Sequence, residues 1–190
     1  MRIVSLFIAA LFCLGVSLSF KSPTKEASLE EGPVHWMTFA EAQAAMKVEK
    51  KKLLIDVYTP WCGPCKMMMR DTFSDPKVAA YINANYYAIK FNAEGPDKVM
   101  WKGKEYVNDK YVAGKQGRNG THPLTYEIAS VDGRVAYPTL VFFDENLELL
   151  TPVQGFLPPQ KIEPIIKFLG GDHYKTTEYS KFMETFKSEF

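Results

Sequence analysis

The sequence predicts an α/β domain, a central mixed sheet with helices on both faces, plus one insert and an extra C-terminal helix. Two strand-like runs, KLLIDVY (52–58) and YYAIKFN (86–92), are separated by helical pattern. A second block, from residue 121 on, reads helix, strand, strand, helix, helix. Hydrophobic content of 46% against 24% charged residues is enough for one buried core and too apolar for a disordered chain.

Each element has a local cause. Thr38 and Glu41 form a capping box ahead of Phe39, Ala42, Ala45 and Met46, which predicts a helix over 39–50. The lysine-bounded run 52–58 reads as a buried central strand, and Asp56 is the one acid in it. From Cys62 to Asp71 the residues are good helix formers. Asp75 or Ser74, with Pro76 behind it, starts another short helix. VMWKGKEYV (99–107) reads as a hairpin turning at Lys102-Gly103, and GKQGRNG (114–120) as loop. The stretch 95–120 is expected to be a surface insert that tunes specificity. Its Trp101 and Tyr106 either form an exposed patch or, as expected, pack on the core.

His122 opens a short helix as a structural or exposed residue. Two strands then flank a turn at Asp144-Glu145-Asn146. The helix in PPQKIEPIIKFLGG (158–171) stops at Gly170-Gly171, and Pro164 is expected to kink it. Tyr179, Phe182, Met183 and Phe186 fall on one face, which predicts an amphipathic helix in 171–190.

The first twenty residues differ in kind. One arginine precedes an apolar run from Ile3 to Phe20, which reads as a secretory signal peptide, or as an N-terminal anchor if uncleaved. Residues 21–35 are polar with two prolines and read as a linker. The protein is therefore expected to be exported, periplasmic in a bacterium. Removing residues 1–20 takes away Arg2 alone, so 23 basic residues become 22 against 22 acidic ones. A formally neutral protein is a poor match for nucleic acid or an anionic membrane surface.

Cleavage would also remove Cys13, leaving Cys62 and Cys65 in DVYTPWCGPCKMMM (56–69) as the only thiols. A redox couple, half of a metal site and a structural bridge all use C-x-x-C. A closed zinc site needs four ligands. His35, His122 and His173 are isolated in sequence, and no second C-x-x-C exists. A bridge across two residues closes too small a loop to stabilise much.

WCGPCK after DVYTP, with AYPTL (136–140) further on, closely resembles the thioredoxin family over about Trp36–Leu169. Asp56, Lys90, Pro138 and Gly155 fall at family spacing. The run CKMMMRDTFSDPKVAAYIN resembles exported members and the soluble thioredoxin-like domain of membrane thiol-electron transporters. The resemblance implies a thioredoxin-like fold over 36–170 and a thiol–disulfide oxidoreductase that needs no cofactor and no metal. Cys62 is the expected nucleophile, its thiolate stabilised at a helix start. Cys65, one turn on, resolves the mixed disulfide. Gly63 and Pro64 keep that turn tight, and Trp61 packs beside it. Asp56 is expected to be a buried carboxyl of raised pKa that exchanges a proton with Cys65, with Lys90 as neighbour. Pro138 is expected to be cis and to bar metal from the sulfurs. Tyr137 and Thr139 flank it, the three are the expected substrate-binding residues, and the Tyr137 backbone would pair with an extended substrate.

Gly-Pro between the cysteines resembles the reducing end of the superfamily. Thioredoxin and protein disulfide isomerase differ by about 90 mV, roughly 4 kcal/mol. The expected partners are disulfide-bearing proteins and a membrane thiol-electron donor. An exported oxidase or isomerase is the enzymatic alternative. A thioredoxin-fold chaperone or binding module is the alternative of another class.

Overall fold

The computed structural model describes residues 34–190. The signal or anchor segment 1–20 and most of the linker lie outside the described residues. The linker expectation is corrected at its end, because Val34 is already buried in the core. Among the described residues no helix is long and apolar enough to cross a membrane.

Seven strands are present among these residues: β1 (Trp36–Met37), β2 (Lys52–Tyr58), β3 (Tyr86–Asn92), β4 (Val99–Trp101), β5 (Lys104–Tyr106), β6 (Thr139–Phe143) and β7 (Leu149–Gln154). The helices are α1 (Phe39–Val48), α2 (Gly63–Met67), α3 (Pro76–Asn85), α4 (Pro123–Ala129), α5 (Pro159–Gly170) and α6 (Tyr179–Thr185). The main sheet runs β1-β3-β2-β6-β7. β3 lies parallel to β1 and β2, whereas β6 lies antiparallel to β2 and β7. This is the mixed sheet that the strand pattern predicts.

Strand periodicity divides the core. Leu53, Ile55 and Val57 of β2 face a cluster with Phe39, Leu124 and Ile128 from α1 and α4. Leu54 faces the other cluster, with Met68, Val78, Ile82, Ile162 and Ile166. Asp56 shares the parity of Leu54, so it belongs to the face covered by Met68, α3 and α5. Being covered on both sides is why β2 reads as an unbroken apolar run.

The caps form as the sequence predicts. Thr38 and Glu41 bond reciprocally at the start of α1, and Asp75 accepts from Lys77 and Val78 at 2.9 and 3.1 Å ahead of α3. The helix from Cys62 departs from expectation. α2 is short and gives way to a π turn over Met68–Thr72, which Phe73 N closes on Met68 O at 3.0 Å. The wider turn seats Met68 and Thr72 inward together. α5 runs on through Pro164, which is buried.

The insert is the main correction. Its first half is a core piece: Trp101 is 1% exposed and meets Phe39 and Phe143 edge-on at 5.4 and 5.0 Å. Lys102 and Gly103 both have positive φ, the geometry of a tight hairpin turn, and glycine adopts it freely. An indole packed at this depth removes too much apolar surface from water for residues 95–108 to be a detachable loop. The C-terminal expectation is corrected as well. α6 covers only 179–185, and Tyr179 and Met183 stay 39% and 40% exposed. Beyond it the tail is drawn out of helix by bonds to Glu163, from Ser188 Oγ and from Glu189 N at 2.7 Å.

Candidate active site

β2 leaves the sheet at Tyr58, and the turn Thr59–Trp61 brings Cys62 to the start of α2. Cys62 is the N-cap of α2, where its Sγ accepts from Cys65 N at 3.1 Å. Pro64 follows in the first turn, where a missing N–H costs nothing. Cys62 and Cys65 form a disulfide with Cα atoms 5.3 Å apart. Both are almost buried, at 3% and 4% exposure, yet only Cys62 reaches a cleft of about 550 Å³. Gly63 and Pro64 are exposed on the same rim.

Trp61 stands across from Tyr137, ring centroids 5.9 Å apart and edge to face. The Tyr137–Pro138 bond is cis. Pro138 is buried, and its carbonyl accepts from Gly155 N at 2.8 Å. Among the described residues the Tyr137 backbone N–H and C=O make no hydrogen bond of their own. Burial pushes the Tyr137 phenol up to about 12, against a hydrogen bond with Thr121 that lowers it. Thr139 does not reach the cleft. It is fully buried, pairs with Val57 and Gln154, and gives its hydroxyl to Ala136 O at 2.7 Å.

Asp56, six residues before Cys62, is 1% exposed on the central strand. Its Oδ2 accepts from Lys90 Nζ at 3.0 Å, and its Oδ1 has no partner. Burial raises the Asp56 pKa, and the charge and hydrogen bond of Lys90 only partly oppose it. The Lys90 ammonium also meets Met69 Sδ at 2.7 Å and lies over the rings of Tyr58 and Trp36, at 4.5 and 4.9 Å. Met69, just beyond the cysteine helix, therefore touches the cation paired with Asp56.

Sequence reading missed the wall opposite Pro64. Glu94, 7% exposed, accepts from Trp61 Nε1 at 2.8 Å and from Asn119 N at 2.7 Å. Arg118 lies over the Trp61 ring at 4.6 Å. Thr121 and Tyr126 complete this side. The insert's second half thus contributes Arg118 to the cleft. A buried-acid signal could have been sought in Glu94, which follows a strand, but its partners are distant in sequence.

His122 is structural. Its ring Nδ1 caps α4 by accepting from Leu124 N at 3.2 Å, and Nε2 meets Asp97 O at 2.9 Å. A neutral ring with the proton on Nε2 serves both. Burial lowers the His122 pKa accordingly, against the pull of Asp97. Among the described residues, no group of three or more His, Cys, Asp or Glu is placed to hold a metal.

The family model for a thioredoxin-like domain matches residues 39–170. The chain belongs to that family. A thioredoxin-fold protein from Helicobacter pylori superposes with a TM-score of 0.53 at 15% identity, covering 83% of this chain and 93% of that one. A thioredoxin from Thermus thermophilus gives 0.49 at 16% identity, covering 71% and 85%. Mitochondrial thioredoxin 3 from Saccharomyces cerevisiae gives 0.40 at 25% identity, covering 72% and 95%. No curated protein matches the chain. Family membership and the Cys62–Cys65 pair together make this a thiol–disulfide oxidoreductase.

Proposed function

We propose that the protein is an exported reductase of protein disulfides. The observation that carries this reading is that Cys62, and not Cys65, opens on the cleft beside the unpaired Tyr137 backbone. An extended substrate segment pairing with Tyr137 brings its disulfide to Cys62. The Cys62 thiolate attacks one substrate sulfur. A Cys62–S bond forms, the substrate S–S bond breaks, and the departing sulfur leaves as a thiolate that takes a proton from water. Cys65 then gives its proton to the free Oδ1 of Asp56 and attacks Cys62 Sγ. The first substrate sulfur is released, and the Cys62–Cys65 disulfide remains. Two electrons have passed to the substrate, and a membrane dithiol donor returns them.

Gly63-Pro64 supports the reducing direction, and the apolar segment 3–20 supports export. Equilibration with glutathione tests direction. A potential near −270 mV supports a reductase, whereas one near −180 to −120 mV makes the protein an isomerase or oxidase. A Cys65→Ser variant should accumulate mixed disulfides through Cys62, and capture through residue 65 in the converse variant would reverse the roles. Recovery of the chain from the cytoplasm with residues 1–20 intact would remove export.

A further inference from the structure

We propose that the cleft selects disulfides whose reacting cysteine is flanked by an acidic residue, with Arg118 holding that carboxylate beside Trp61. The inference rests on the cleft being the site of disulfide exchange.

The cleft has two charged lining residues, Glu94 and Arg118. Glu94 is turned inward and committed to Trp61 and Asn119. Arg118 is exposed, and no acidic side chain among the described residues forms an ion pair with it. Its guanidinium sits over the Trp61 face at 4.6 Å. Among the described residues no hydrogen bond or ion pair engages its N–H donors, which leaves them for a planar, two-oxygen acceptor. Trp61 adjoins Cys62 in the chain, and Arg118 and Cys62 line the same cleft.

The loop that carries Arg118 is fastened in place. Asn108 Nδ2 ties its two ends together by donating to Gly95 O at 3.0 Å and Gly120 O at 2.8 Å. The Asn119 side chain staples it to Val112, accepting from its N at 2.8 Å and donating to its O at 2.9 Å. Gly120 packs so closely on Lys110 that a Cβ would fall 2.3 Å from its carbonyl oxygen. Glu94 then locks Asn119 and Trp61 to one carboxylate. A cation held this firmly loses little freedom on meeting its partner.

Matched peptides, each with one cysteine activated as a neutral 2-thiopyridyl disulfide, test the idea. The residue beside the cysteine is Asp in one and Asn in the other. Attack by Cys62 in a Cys65→Ser background releases 2-thiopyridone, and the Asp/Asn rate ratio cancels any effect common to both. The expected ratio is about fivefold at low salt, falling as ionic strength rises. In Arg118→Gln it should approach one, in Arg118→Glu it should invert, and in Arg118→Lys it should lie between. A ratio near one in the unaltered cleft, or one unchanged in Arg118→Gln, overturns the proposal. So does an Arg118-dependent preference for activated glutathione without one for the Asp peptide, which would assign the cation to a small thiol. The assay reads attack and not net direction. An oxidising potential would therefore remove the reductase reading and leave this ratio standing.

Discussion

Asp56 and Glu163 are both sealed from solvent, at 1% and 0% exposure, and burial by itself would push both carboxyls toward the neutral form. They end on opposite sides of their ordinary values. Asp56 has Lys90 on one oxygen and nothing on the other, so its pKa stays raised. Burial also acts first on Glu163, but Ser188, Glu189 N and Lys167 donate to it and outweigh that cost, so its pKa is lowered. Glu163 has three donors where Asp56 has one, and its pKa moves the other way. The fully satisfied carboxyl fastens the C-terminal tail to α5. The half-satisfied one lies in mid-strand on β2, six residues before Cys62.

The largest expected effect is on the structural member. Glu163→Ala leaves the tail donors and Lys167 without their acceptor and should cost about 3 kcal/mol. Calorimetry should show a fall in Tm of roughly 6–12 °C. An equal loss in Asp56→Ala would erase the contrast between the two sites. Next, removing residues 188–190 should cost about 2 kcal/mol by denaturant unfolding, since two donors to Glu163 go with them. Unchanged stability would make the tail a bystander.

Asp56→Asn should behave in the opposite way. Turnover on protein disulfides should fall about tenfold through loss of the proton acceptor, while stability at neutral pH should hold or rise by about 1 kcal/mol. Unaltered turnover across pH would reduce Asp56 to a buried acid with no part in exchange.

The smallest effect is the pH dependence. Folded Asp56 holds its proton more tightly than the unfolded chain does. Its contribution to stability is therefore present at low pH and lost as pH rises from about 4 through its raised folded value. Folded Glu163 holds its proton less tightly. Its contribution is present above about pH 4.3 and lost as pH falls through its lowered value. Asp56→Asn should flatten the decline on the alkaline side, and Glu163→Gln the decline on the acid side. Matching slopes in the two variants would show that both acids titrate alike.

Much of this was legible before any coordinates. Thr38-Glu41, Asp75-Pro76 and Lys102-Gly103 act through bonds a few residues long, and each formed where its local chemistry pointed. The buried run 52–58 with one acid in it led to Asp56, because an unbroken apolar strand has no solvent face to offer a carboxyl. What could not be read was whatever spans the chain. Core packing of Trp101 was expected and holds, but its partners Phe39 and Phe143 lie far away on either side. Thr139, adjacent to Pro138, was expected at the substrate, but strand parity turned it inward.

The sequence by itself determined the cysteine pair, the acid in mid-strand and the helix caps, since these rest on residue identity and short spacing, while the cis bond before Pro138 followed from the family resemblance. Only the tertiary structure decided which half of residues 95–120 became core and which became wall. It alone put Arg118 on Trp61, and Trp61 and Asn119 on Glu94. It also gave one buried carboxyl a full set of donors and the other a single lysine. Those outcomes depend on which distant groups compete for the same enclosed space, and sequence spacing carries no record of that competition.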